Sequence, residues 1–129
     1  MVTDSISDFI IRLQNASRAN KETVSLPFSQ MKFAIAEILE REGYIASIDK
    51  KSKKGGVLSV VLAYKNGKPT IQGVKRISKP SRRIYMGVRD VRPIKRGHGL
   101  LVLSTPAGIT TGKEAQMKRV GGEALFEIW

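Results

Sequence analysis

The amino-acid sequence predicts an α+β fold. It takes the form of two small α+β domains packed together: an N-terminal helix-strand-helix-hairpin, then a C-terminal, mostly antiparallel β domain with one short helix. Three observations lead there. Helical apolar spacing dominates the early chain and returns only briefly near the end. Short alternating or β-branched runs fill the remainder, bounded by turn pairs such as Asn66-Gly67 and Gly121-Gly122. With 129 residues, the chain suffices for one compact domain or two small ones. The boundary is expected near Asn66 to Lys68, giving domains 1–67 and 68–129.

In order, Ile6, Phe9, Ile10, Leu13 and Ala16 mark a first helix over 4–19, with Thr3 or Asp4 as its cap. Thr23 to Leu26 reads as a short strand before Pro27. Ser29 caps a second helix whose stripe is Ala34, Ile35, Ile38 and Leu39, and Gly43 stops it. Lys32, in its first turn, reads as an exposed cation or a phosphate contact. Tyr44–Ile48 and Val57–Tyr64 read as paired strands around a basic hairpin tip that contains Lys53. Asn66-Gly67 gives a tight turn, and Thr70–Ile77 a further strand. Arg83-Ile-Tyr85 is a short strand inside a basic run. Gly99 to Leu103 is a buried strand that enters a hydroxyl-rich turn, with a helix expected at once: Thr111 as cap, Gly112 to Arg119 as body, Ala115 and the stem of Met117 or Lys118 inward. Gly121-Gly122 breaks it, and a last strand carries Ala124, Phe126 and Ile128 on one face.

Charge narrows the function. Lys and Arg number 23 against 11 Asp and Glu, a net charge of +12. So large an imbalance costs self-repulsion, which a polyanion relieves, and nucleic acid is the favoured partner over an anionic membrane. No apolar run approaches the roughly 20 residues of a membrane helix. The N-terminus lacks the basic and apolar pattern of a secretory signal. The absence of cysteine removes disulfides, thiolate metal sites and a Cys nucleophile.

Enzyme motifs fail on spacing. Gly108-x-x-x-Gly112-Lys113-Glu114 lacks the longer gap and the hydroxyl of a phosphate loop. Gly97-His98-Gly99 precedes its strand and lacks the third glycine of a dinucleotide fingerprint. Ser104 lacks the glycines of a nucleophile elbow, and His98 is the single imidazole. The expectation is no catalysis, no cofactor and no metal.

A binding site uses these residues better. Ser104 and Thr105 sit on a turn stiffened by Pro106 and Gly108, so their hydroxyls would lose little entropy on meeting RNA. The alternative is a purely local Ser/Thr turn. Backbone N–H groups before Thr111, the following helix start and Lys113 suggest a phosphate site. Arg83 and Tyr85 pair a cation with a stacking ring, the combination RNA modules use. Gly121 and Gly122 would allow close backbone approach, or would merely cap and turn the chain. Glu123 suits such a face only as an acceptor for a base amino group or ribose hydroxyl.

Several of these motifs together resemble a known family, small ribosomal subunit protein eight. They are Thr3-Asp4-x-Ile-x-Asp8 with Arg12 and Asn15, Ser29-x-x-Lys32, Arg76 through Tyr85, Gly97-x-Gly99, Ser104-Thr105-x-x-Gly108, and Gly121-Gly-Glu123, in order over essentially the whole chain. The resemblance implies a structural constituent of the small subunit that binds the central domain of its RNA and supports assembly. Ser104, Thr105, Tyr85, Gly122 and Glu123 would be the core of the site, and Ser29, Lys32 and Asn15 outer contacts, with Thr3 and Lys53 as further RNA-binding candidates. It implies neighbouring small-subunit proteins as partners, a monomer outside the ribosome, and a cytoplasmic place in the ribosome, with an organellar ribosome left open. In bacteria the family also represses its own messenger RNA, so a free RNA-binding translational regulator is the alternative. Three departures stand out: Pro106 where the family usually has Ser, Thr110-Thr111-Gly112-Lys113 where it has Met-Thr-Asp-Arg, and Pro80-Ser81 for Pro-Gly.

Overall fold

The computed structural model describes residues 5–49, 56–79, 81–87, 89 and 99–129. It divides into two compact units, one over Ser5–Gln72 and one built on Gly73–Trp129. Helices and antiparallel sheets occur in separate stretches, so the class is α+β. Among the described residues no helix is long and apolar enough to cross a membrane.

In the first unit, α1 (Ser5–Arg18) buries Ile6, Phe9, Ile10, Leu13 and Ala16, the stripe expected of its spacing. Next comes β1 (Thr23–Pro27), then α2 (Gln30–Arg41). The Ser29 hydroxyl caps α2 by accepting from the Lys32 N–H at 3.1 Å. Ile35, Ala36, Ile38 and Leu39 are its core side chains; Ala36 is fully buried and Ala34 only half-buried. Gly43, at φ +88°, ends the helix, and the Tyr44 N–H reaches back to the Leu39 carbonyl.

Strands β2 (Ile45–Ile48) and β3 (Val57–Leu62) complete a three-stranded sheet in the order β1-β3-β2. Leu58, Val60 and Leu62 point to the helices' side and are buried, while Val57 and Val61 stay exposed. The expected strand to Tyr64 stops at Leu62, because the Ala63 carbonyl is taken by the Thr70 N–H. Tyr64–Lys65 (β4) and Lys68–Pro69 (β5) form a separate hairpin. Asn66 and Gly67 both have positive φ, 54° and 76°, as a two-residue turn of the hairpin type requires.

The second unit is one sheet, with β6 (Val74–Arg76) and β7 (Tyr85–Met86) on one side of β10 (Gly122–Ile128). On its other side lies β8 (Leu100–Thr105), followed by β9 (Gly108–Thr111). The expected strand over 70–77 is thus only three residues long. Gly73 exchanges two backbone hydrogen bonds with Trp129, each 3.0 Å, and a Cβ there would lie 2.6 Å from the indole.

The chain's end differs from the expected pattern in three respects. The helix does not follow the turn at once: β9 intervenes and pairs back on β8 from Thr105↔Gly108 to Val102↔Thr111. Only then does α3 (Gly112–Met117) begin, with Ala115 packed against Leu101, Leu103 and Ala124. Met117 is 76% exposed and Lys118 exposed, so neither stem turns inward. In β10 the register shifts between Ala124 and Phe126. Ala124 pairs with Leu103, but Phe126 pairs with Val102, so this bulge puts the two on opposite faces. The Leu125 carbonyl at the bulge accepts from the Ile77 N–H at 3.1 Å and from Arg76 Nη1 at 2.6 Å.

Candidate nucleic-acid interface

The register of the second sheet lines up residues that are far apart in sequence. Tyr85 of β7 lies opposite Glu123 of β10, and Glu123 lies opposite Ser104 of β8. Cross-strand partners share a face, so an aromatic, a carboxylate and a hydroxyl form one row across three strands. Tyr85 is 70% exposed, its ring available for stacking. The Ser104 hydroxyl is half-buried and makes no hydrogen bond within the chain among the described residues.

Arg83 stands two residues before Tyr85, just outside β7. Its Nη1 donates to both carboxylate oxygens of Glu123, at 3.1 and 3.3 Å. The two side chains differ in exposure: 56% for Arg83 and 13% for Glu123. The pair spans 40 residues of sequence, and only the β7–β10 register brings it together.

Thr105 behaves differently from Ser104. Its hydroxyl donates to the Gly108 carbonyl at 2.9 Å and accepts from the Ala107 N–H at 3.1 Å. It therefore braces the turn over Pro106 and Ala107. Pro106, Ala107 and Gly108 are all exposed, and Gly108 has φ +111°, which a side chain would strain. Proline at position 106 suits a turn whose bracing comes from Thr105 and Gly108.

Both glycines before Glu123 serve the sheet itself. A Cβ on Gly121 would lie 2.5 Å from the Met86 carbonyl oxygen, and one on Gly122 would press on the Ser104 carbonyl and lie 2.9 Å from Thr105 Cγ2. The close approach they permit is to the chain's own strands. Neither ends α3, since Arg119 adopts the left-handed conformation there, at φ 55°.

The expected phosphate site at the start of α3 is filled from within. Thr111 Oγ1 accepts from the Glu114 N–H at 3.1 Å, and Glu114 Oε1 accepts from the Thr111 N–H at 3.4 Å. A carboxylate thus already occupies the positive end of this six-residue helix. Lys113 is exposed beside it, a cation without that pocket.

In the first unit, Asn15 is exposed on α1 and lines a shallow cavity of about 420 Å³ with Arg12, Lys21, Thr23 and Ser25. The Ser29 hydroxyl is committed to its cap. Lys32 is not the exposed cation that its sequence position suggests: it is only 6% exposed, packed among the core side chains of α2. Thr3, Lys53 and His98 lie outside the described residues.

Comparison with known proteins agrees with the sequence motifs. The family model described as Ribosomal protein S8 matches residues 4–129. The small ribosomal subunit protein uS8 of Nitratidesulfovibrio vulgaris strain DP4 is 43% identical over 129 residues, all of both chains. That of Oleidesulfovibrio alaskensis is 46% identical over 129 residues, again all of both chains. That of Streptococcus sanguinis is 43% identical over 131 residues, 100% of this chain and 99% of the relative.

Proposed function

This chain belongs to the ribosomal protein S8 family, a family of structural, non-enzymatic ribosomal proteins, and from that premise we propose that it is a constituent of the small ribosomal subunit that binds the subunit's RNA through the Tyr85–Glu123–Ser104 row. The observation that carries this reading is the row itself: an open ring, a held carboxylate and a hydroxyl with no hydrogen bond among the described residues, in register on a chain of charge +12. A ring supplies stacking, and a hydroxyl and a carboxylate address ribose and base edges; the chain's excess of Lys and Arg neutralises phosphate. Its partners are the central domain of the small-subunit RNA and neighbouring small-subunit proteins. It sits in the cytoplasmic ribosome, supports assembly, and is a monomer before it joins. Asn15 and the α1–β1 cavity form an outer RNA contact, to which Thr3 and Lys53 add.

The test is chemical footprinting of the full chain on small-subunit RNA, with binding measured across a salt series. Protection should fall on an irregular helix of the central domain, and affinity should drop steeply with salt, each phosphate contact adding about 0.7–0.9 to the slope. No localised protection, or a flat salt dependence, overturns the proposal. Failure to co-sediment with small subunits, with binding to a messenger retained, would make the protein a free regulator.

A further inference from the structure

A carboxylate is an unexpected group on a face that receives a polyanion. Glu123 is nevertheless central to the row, and its side chain is only 13% exposed. An ionised carboxylate so placed needs a partner, and Arg83 supplies it through a single nitrogen that touches both oxygens. Two carboxylate oxygens have about four acceptor sites, so one donor nitrogen leaves room for further donors. Arg83 is also partly spent: a guanidinium held by a carboxylate contributes little net charge towards a phosphate.

We propose that Arg83 is a positioning residue that holds the Glu123 carboxylate as a fixed acceptor for a ribose hydroxyl or base amino group, rather than a phosphate contact in its own right. The proposal rests on the reading of this face as an RNA site. It explains why a chain so rich in Lys and Arg keeps an ion pair here. The carboxylate repels bare phosphate and accepts only from donor-bearing edges, so the pair adds discrimination rather than attraction. Arg83 fixes the side chain's direction. Its bonds come from one nitrogen, so a lysine ammonium can replace it in part, unlike a two-nitrogen fork.

The experiment measures the full chain and its Arg83→Gln, Arg83→Lys, Glu123→Gln and doubly substituted Gln variants on two probes: small-subunit ribosomal RNA and an unrelated RNA duplex. Each is titrated across a salt series, with thermal unfolding in parallel. Arg83→Gln should weaken small-subunit RNA binding roughly 10- to 100-fold, the range for hydrogen bonds to charged groups. It should leave the salt slope and the duplex affinity unchanged. Arg83→Lys should recover most of the loss, and the double variant should bind no worse than Glu123→Gln alone. Equal loss on both probes, a slope reduced by about 0.7–0.9, or additive single effects would make Arg83 a phosphate contact and overturn the proposal. So would a loss that merely follows a lowered unfolding temperature without recovery by lysine. A wild-type chain with no preference between the probes overturns the RNA-binding reading itself, and the role of Arg83 falls with it.

Discussion

Both units leave part of a sheet open to solvent, and the two surfaces differ in chemistry. On the outer side of β1-β3-β2, Thr23 pairs with Val61, Ser25 with Ser59 and Pro27 with Val57. These side chains are small and uncharged, and the Ser25 and Ser59 hydroxyls lie 3.0 Å apart, satisfying each other. In the second unit the corresponding cross-strand row holds Tyr85, Glu123 and Ser104. Exposure alone therefore does not distinguish the two surfaces. The second row stands out because its groups have hydrogen-bonding and stacking capacity left over, and because glycine at 122 lets its strands close tightly beside it.

The largest expected effect comes from breaking that closure. Gly122→Ala places a Cβ against the Ser104 carbonyl, which is backbone and cannot swing away. Overpacking of this kind should cost about 1–3 kcal/mol in urea unfolding and weaken RNA binding through displaced Ser104 and Glu123. Val61→Thr on the other sheet should stay within about 0.5 kcal/mol of wild type. Equal stability of the two variants would mean that the close strand packing is not needed.

Tyr85→Ala separates recognition from folding. The loss of one stacked base should cost about 1–3 kcal/mol of RNA affinity. The ring is 70% exposed, so the unfolding free energy should move by no more than about 0.5 kcal/mol. The contrast is Val61→Ala, for which neither RNA affinity nor salt dependence should change. Unaltered RNA binding by the Tyr85 variant would remove the ring from the site.

Two threonines sharpen the point about leftover capacity within one hairpin. The Thr105 hydroxyl has partners on both sides, whereas the buried Thr110 Oγ1 has none among the described residues. Thr105→Val should destabilise by about 1–2 kcal/mol, since the Ala107 N–H and Gly108 carbonyl lose a partner. Thr110→Val should raise stability by about 1 kcal/mol, because an unsatisfied hydroxyl gives way to a methyl group. Opposite signs in parallel melts are the expected outcome; the same sign would contradict the hydrogen-bond assignment.

Local signals made much of this architecture legible in the sequence. The α1 stripe, the Ser29 cap, the Gly43 stop and the Asn66-Gly67 turn each depend on residues within a few positions of one another. What stayed hidden depends on register. β9 is four residues long, Gly108 to Thr111, too short for alternation to show, and its two threonines read equally well as turn and cap. The bulge after Ala124 has no marker, since Leu125 is as apolar as its neighbours. Tyr85, Glu123 and Ser104 could each be picked out as chemistry-bearing, but not as one row, and the Arg83–Glu123 contact needed the pairing of β7 with β10. Lys32 misled because position in a helix's first turn says nothing about which side of the helix faces the core.

The smallest effect tests how the second unit reaches its row. Among the described residues, all three α-helices are followed by a residue at positive φ: Asn20 at 56°, Gly43 at 88° and Arg119 at 55°. In each case the next N–H reaches back five residues: Lys21 to Ala16, Tyr44 to Leu39, and Val120 to Ala115. Glycine adopts this conformation without strain and asparagine tolerates it, but arginine meets its own Cβ. Arg119 is exposed, so its side chain contributes little packing to offset that strain. Arg119→Gly should therefore gain about 0.5–1 kcal/mol, and Asn20→Gly in the first unit should gain less. If Arg119 is kept for its charge, the same substitution should lower RNA affinity and reduce the salt slope by about 0.7–0.9 while stability rises. A gain in stability with no change in slope would leave Arg119 as local strain that the Val120–Ala115 bond and the packed Ala115 overcome, and would confine recognition to the row beyond it.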